Sequence, residues 1–391
     1  MIVSLQNIPV EMNTLFIIGI FFSFFLQFLL FSKKGKALSD KILGIWMFVM
    51  GIHLFSYYIY NLGFWEKYPH LTGITHPIPL LHGPLLYLYV VFSLRSDQRF
   101  RWKDYMHFIP FIAAYLYMIP YFLFYSAERK ILINHEQIND YHTFMMLSLA
   151  AFIVSGITYP ILAYRLIGRF EKVIRENFSF DEKISLNWLR YCIWGLAFIF
   201  ATVLVFTLFQ NVLRVQLPFN PDYIYYSEII LFILFLGFMG IRHEGIFAET
   251  KGRSVQIIDL ETGPKQTGEY KKSGLKAEDA ALYHQRLMQL MMDKKLYLES
   301  KLTLNTLANE LGMSVNHLSQ LINQYQGKNF YDFVNEYRIE EFKARVSSPR
   351  NRHLNILAIA LDSGFNSKSS FNSVFKKHTG ITPSQFMAEE K

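Results

Sequence analysis

The 391-residue chain contains a single cysteine, Cys192. One thiol excludes an intramolecular disulfide framework and any cysteine-rich zinc site. Cys192 lies in an apolar run, where a small buried hydrophobe is its ordinary role. Other chemistry is missing too: there is no phosphate-cradling glycine loop, no nucleophile elbow and no paired catalytic carboxylate motif. His76 and His82 stand six apart across Pro77 and Pro79, which is not metal-ligand spacing. These gaps argue against an enzyme and leave no catalytic residue, metal or cofactor to assign. Basic residues are absent from the beginning of the chain, where nothing precedes Lys33. With no small-residue cleavage site after it, the first apolar run does not read as a signal peptide.

What the chain has in quantity is apolar and aromatic surface. Hydrophobic residues make up 52% and aromatic ones 17%, with 37 Phe and 24 Tyr. The last third is polar in character, so the first part must be strongly apolar. The formal charge of +8 suits nucleic acid or an anionic membrane surface without choosing between them.

The first apolar run, residues 13–31, is close to the roughly 20 residues that span a bilayer. Further runs follow at 42–60, 74–94, 105–125, 143–166, 188–209 and 223–241, which makes seven candidate spans over a membrane domain of residues 1–241. Prolines 77, 79, 84, 110, 120 and 160 lie within or at the ends of these runs, as neighbouring helices in a bundle allow. The loops carry opposite charge loads. One set holds thirteen Lys and Arg: residues 33, 34, 36, 41, 95, 99, 101, 103, 165, 169, 172, 175 and 183. The alternate set holds Lys67, Arg129, Lys130 and Arg214 alone. Positive loops stay inside. The expected topology is therefore a multi-pass protein of a bacterial inner (cytoplasmic) membrane, with the N-terminus outside and everything after Arg242 in the cytoplasm.

Residues 242–275 shift to Gly, Lys, Thr and Glu and read as a juxtamembrane linker. Residues 275–298 return to helical spacing, with Leu287, Leu290 and Met291 on one face. That helix is expected to pack on the following unit or on a second copy of itself.

The stretch 302–386 is one unit written twice. Ala308 and Gly312 reappear as Ala360 and Gly364, while Leu318, Leu321 and Ile322 reappear as Phe371, Val374 and Phe375. Gly327, Phe330 and Phe333 reappear as Gly380, Pro383 and Phe386. This spacing reads as two helix-turn-helix units, at about 303–326 and 354–378, joined by a linker helix over 331–346. A small Ala permits close crossing, Gly supplies the turn's positive φ, and later apolar residues fix the second helix. Ser314 is placed to cap that helix.

With these residues the chain resembles the AraC/XylS family of transcription regulators, most densely over 364–386. One departure is Ile322–Asn323, where the family more often has Phe-Lys. The resemblance implies a DNA-binding domain over 276–391 whose second helices enter successive major grooves of one duplex, about one helical turn apart. The outward faces would then present Asn316, Ser319, Gln320 and Asn323 from the first unit. The second unit would present Lys368, Ser369, Asn372, Ser373, Lys376 and Lys377. Asn and Gln can bond adenine N6 and N7, and Lys reaches guanine or a phosphate. Lys377, Thr379, Thr303 and Lys328 suit phosphate better than bases. The domain is only modestly basic, with 15 Lys and Arg against 12 Asp and Glu from Lys276 onward, so the doubled motif matters for tight binding.

Ionisable groups inside a membrane are costly, and His53, His82 and Glu228 are candidates for a ligand pocket opening outward with Tyr57, Tyr87 and Tyr226. The expectation is an all-α chain: a seven-helix transmembrane bundle followed by a cytoplasmic tandem helix-turn-helix domain. Its partners would be double-stranded DNA, the lipid bilayer, an unidentified signal and a second copy of the chain. Two rivals stand beside a sensor that regulates genes. One is a transporter or membrane enzyme carrying an autoregulatory DNA-binding domain. The other is a regulator passively anchored at the membrane.

Overall fold

A computed structural model describes residues 10–95, 97–135, 137–180, 186–242, 277–351 and 353–389. The linker expected over 242–275 falls outside the described residues apart from Arg242. Every regular element is a helix; no strand occurs among the described residues, and one isolated antiparallel bridge joins Phe178 to Thr303. The chain divides into two compact units, Met1–Ile167 with Asn187–Asp259, and Gly168–Leu186 with Leu260–Lys391.

The first unit is built from α1 (Val10–Ser32), α2 (Leu38–Asn61), the single turn α3 (Phe64–Lys67) and α4 (Pro79–Leu94). The turn α5 (Trp102–Tyr105), α6 (Ile109–Phe124), α7 (Ala127–Asn134) and the first part of α8 (His142–Asn177) follow. The unit is completed by α9 (Asn187–Thr207) and α10 (Asp222–Arg242). Among the described residues, six helices are long and apolar enough to cross a bilayer. The remaining apolar stretch, 74–94, yields the 16-residue α4 because Pro79 at its first turn sets where the helix can begin. At 1.5 Å per residue α4 is about 24 Å long, short of a ~30 Å hydrocarbon core. It is buried along nearly its whole length, from Leu80 to Leu94, so its neighbours and not lipid surround it.

The side chains that would face lipid are the exposed apolar ones, among them Phe21, Phe28, Leu123, Phe124, Trp194 and Phe198. Helix crossings rely on glycine. A Cβ on Gly19 would strike Ile230, and one on Gly156 would strike the ring of Phe200, the close approach that small residues permit in membrane bundles. Loops close with ion pairs: Lys33 to Asp40 at 3.1 Å and Arg95 to Asp104 at 3.0 Å.

The second unit contains α11 (Ala277–Asp293), α12 (Leu304–Leu311), α13 (Val315–Gln326), α14 (Phe330–Val346), α15 (Ile356–Asp362), α16 (Lys368–Thr379) and α17 (Pro383–Glu389). It also includes residues 168–180, the end of α8 and the bridge segment after it. The long α14 carries two cores on two faces. Phe330, Phe333 and Val334 join α11, α12 and α13, while Tyr331, Ile339 and Phe342 join α15 and α16. Leu287 and Met291 of α11 are wholly buried in the first of these cores, so this helix packs on its own unit.

Candidate functional site

The two helix-turn-helix units are built alike. Gly312 has φ +66° and Gly364 φ +94° in the turns. Ala308 and Ala360 are fully buried where the helices cross. The second helix of each unit starts on a serine: Ser314 Oγ accepts from the His317 N–H at 3.2 Å and Ser367 Oγ from the Ser370 N–H at 3.1 Å. Each ends on a left-handed glycine, Gly327 or Gly380. Leu318, Leu321 and Ile322 face the first core, and Phe371, Val374 and Phe375 the second.

With those residues held inward, helical geometry turns the rest out. Asn316, Gln320 and Asn323 are exposed and Ser319 half-buried; Lys368, Ser369, Asn372, Ser373, Lys376 and Lys377 are all exposed. Among the described residues the side chains of Asn316, Gln320, Asn372 and Lys376 have no hydrogen-bond partner, so their polar ends are available to a duplex. Other candidates are engaged. Asn323 Nδ2 donates to the Ser319 carbonyl at 2.9 Å, and Lys377 Nζ pairs with Asp332 at 2.7 Å. Of the phosphate candidates, Thr303 caps α12, Lys328 pairs with Glu336 at 2.5 Å, and Thr379 Oγ1 donates to the Phe375 carbonyl at 2.8 Å.

Arg338, which sequence reasoning passed over, sits at the centre of the unit with 1% exposure. Its Nε donates to the Tyr297 carbonyl at 2.7 Å. One terminal nitrogen donates to the Ser179 carbonyl at 2.8 Å and to Asn335 Oδ1 at 3.2 Å. The other reaches the Glu299 carbonyl at 2.7 Å and Ser179 Oγ at 3.0 Å. All five guanidinium donors are thereby used. Burial pushes its pKa down to about 10, which leaves it charged at neutral pH. Ser179 Oγ in turn donates to the Leu302 carbonyl at 2.7 Å. The segment after α8 is thus fastened to the helix that carries both helix-turn-helix units. The only sequence signal was a lone Arg between the apolar positions of α14.

In the first unit a cavity of about 370 Å³ lies among the ends of α2, α7 and α10 and the 64–79 segment, lined by His53, Tyr57, Trp65, His76, Asp222 and Tyr226 among others. A polar relay runs behind it. Trp46 Nε1 donates to His82 Nδ1 at 3.2 Å, His82 Nε2 meets His53 Nδ1 at 3.2 Å, and His53 Nε2 meets the Tyr226 hydroxyl at 3.2 Å. An indole only donates, so His82 Nδ1 must accept. His82 Nε2 then donates to His53, and both rings complete the chain while neutral. Of the three candidates, His53 reaches the cavity wall and His82 lies behind it. Glu228 is not among the described lining residues; it accepts from Thr202 Oγ1 at 2.9 Å. Tyr87 packs against His107 and Tyr159. Asp222, which the sequence did not single out, is in the wall.

Comparison with known proteins agrees with the geometry of the second unit. A family described as "Helix-turn-helix domain" matches residues 307–389. "Probable transcription factor PqrA" of Proteus vulgaris is 30% identical over 95 residues, covering 24% of this chain and 75% of that protein. An uncharacterized HTH-type transcriptional regulator of Staphylococcus aureus (strain COL) is 34% identical over 95 residues, 24% of this chain but only 12% of that one. A solved Listeria innocua structure of unknown function is 28% identical over 27% of this chain and 96% of its own, with a TM-score of 0.24. None of these matches extends over more than about a quarter of the chain. By its twice-written helix-turn-helix and this similarity, the chain belongs to the AraC-type family of transcription regulators.

Proposed function

We propose that this protein is a membrane-bound, sequence-specific DNA-binding regulator in which the state of the membrane unit biases how the helix-turn-helix units engage DNA. The observation that carries the reading is the Arg338 network. α8 starts among the apolar helices and continues without a break to Asn177. Two residues later, Ser179 is held by α14 through three hydrogen bonds, two from Arg338 and one from Asn335. A passive anchor needs no such fastening; a flexible tether after α10 would serve. The DNA-binding domain is on this reading 276–391 completed by the segment 168–180.

The loop charges support an N-terminus outside the cell and the second unit in the cytoplasm, where DNA is. Asn316, Gln320 and Asn372 would read base edges, with Ser319, Asn323, Lys368, Ser369 and Ser373 beside them. Lys376 and Lys377 would contact phosphate. Two copies on adjacent sites would gain from the effective concentration set by a shared membrane.

The test replaces residues 1–141, with α9 and α10, by an unrelated bundle of the same topology and keeps 142–180 and 243–391. Genome-wide DNA occupancy and transcript levels are then compared with those of the native protein. The expected result is unchanged site choice with regulation frozen in one state. Regulation that varied with growth conditions as in the native protein would leave the bundle as an anchor only. A cytoplasm-only reporter fused after Arg175 should be active, and one fused after Gln216 silent.

A further inference from the structure

We propose that the cavity in the membrane unit is a binding site for an ammonium group, with Asp222 as its counter-charge and aromatic rings as its walls. The proposal rests on the sensing role given to this unit above and names the chemical class of what is sensed.

A volume of about 370 Å³ suits a small organic molecule. Among its described lining residues Asp222 carries the one formal charge, since the other polar groups are hydroxyls, an amide and imidazoles. The Asp222 carboxylate accepts from the Tyr225 hydroxyl at 2.7 Å, and among the described residues no cation pairs with it. The basic groups nearest in sequence to the wall residue Asn134 are engaged elsewhere. Arg129 pairs with Asp140 at 2.6 Å, and Lys130 Nζ lies 3.1 Å from His70 Nδ1. A half-buried carboxylate whose described side-chain partner is one hydroxyl still gains from an opposite charge.

The walls favour the same sign. Tyr57 and Tyr226 stack with centroids 3.7 Å apart, Tyr225 lies 4.8 Å from Tyr226, and Tyr60 stacks on Trp65 at 6.0 Å. The faces of such rings attract a cation and repel an anion. Asn134 Nδ2 is buried and has no partner among the described residues, so a ligand oxygen would satisfy it. A cation with a nearby oxygen is an amino alcohol, which could be a free amine or the ethanolamine headgroup of a lipid.

The experiment uses the full chain in lipid discs and titrates choline against 3,3-dimethyl-1-butanol, which has the same shape and no charge, by isothermal calorimetry. In discs of phosphatidylglycerol alone choline should bind saturably and at least about tenfold tighter than the alcohol, the scale expected of a desolvated cation over aromatic rings. Asp222→Asn should bring the two ligands level. Should that variant lose its helical content, Trp65→Leu, which removes one wall, should lower choline affinity and not that of the alcohol. Discs containing phosphatidylethanolamine separate the sources: weaker apparent choline affinity there identifies the headgroup as the occupant, and unchanged affinity identifies a free amine. Equal binding of choline and the alcohol, or none by either, would overturn the proposal. Failure of the same preparation to bind duplex DNA, with choline binding intact, would instead fault the regulator reading.

Discussion

Replacing Arg338 by Met keeps much of its apolar stem and removes every donor. Four acceptor groups lose a charged partner: the carbonyls of Tyr297, Glu299 and Ser179, and Asn335 Oδ1; Ser179 Oγ loses its donor and keeps its bond to the Leu302 carbonyl. Hydrogen bonds to a charged group contribute about 1.5–3 kcal/mol each. Against this stands the relief of no longer burying a guanidinium, which recovers several kcal/mol. The difference, the cost of the neutral acceptors left without a donor less that relief, should be about 3–5 kcal/mol, a large part of a domain's roughly 5–15 kcal/mol. Ser179→Ala is the milder control. The Leu302 carbonyl still accepts from the Ser179 N–H at 3.2 Å and the Arg338 nitrogen still reaches Glu299, so about 1 kcal/mol should go. All five tryptophans, residues 46, 65, 102, 188 and 194, lie outside the second unit, so indole fluorescence cannot follow it. Hydrogen exchange with mass spectrometry on the full chain can. At about 1.4 kcal/mol per tenfold, amides of α14 should exchange roughly 10²–10⁴ times faster in Arg338→Met and about tenfold or less in Ser179→Ala. Exchange in α14 that changed less than tenfold in Arg338→Met would refute the reasoning.

Three further outcomes are expected. Gly364→Ala puts a Cβ against the Tyr297 carbonyl oxygen and Arg338 Nε at φ +94°, whereas Gly312→Ala meets open space at φ +66°; the second should cost about 1–2 kcal/mol of left-handed strain, and the first should unfold the second helix-turn-helix, as protease cleavage within α15 and α16 would report. Asn372→Ala should cost about 1–3 kcal/mol on the preferred site alone, while Asp332→Asn, which frees Lys377 from its 2.7 Å pair, should tighten all duplexes and steepen the salt slope by up to about one phosphate; a sequence-selective effect of Asp332→Asn would count against Lys377 as a phosphate contact. Burial alone would raise the Glu341 pKa, but hydrogen bonds from Lys295, Arg345 and Tyr297 outweigh it and hold the carboxylate below its ordinary 4.5. A depressed acid stabilises the fold above its unfolded pKa and loses that contribution as pH falls through the folded value, so urea resistance of DNA binding should decline below about pH 4.5 in the native protein and decline less in Glu341→Gln.

The tandem unit was legible because its determinants are local. An Ala four residues before a Gly, a Ser cap and an apolar triplet recur, and each of them specifies geometry within one or two helical turns. The bundle was legible by the same token, since span length and composition are properties of single runs. The 74–94 run shows the limit: apolarity continued back through Ile74, but proline chemistry started the helix at Pro79, and a helix shielded by its neighbours need not match the bilayer. What could not be read were pairings across the chain. Arg338 and Ser179 are 159 residues apart, and a single Arg on a helix ordinarily lies in solvent. Asp222 stood at the start of a span, where a carboxylate reads as a helix-terminus residue, and only the fold set it among the rings of α2 and the 64–79 segment.

The Arg338 dock also fixes an order of events during synthesis. Ser179 leaves the ribosome long before Tyr297, Leu302 and Arg338. The groove that receives the bridge segment exists only once α14 has emerged, so its guanidinium closes on a residue made 159 positions earlier. The second unit therefore cannot complete its core until α14 has been made, and a ribosome that stalled between α10 and α14 would leave the bridge segment unmet.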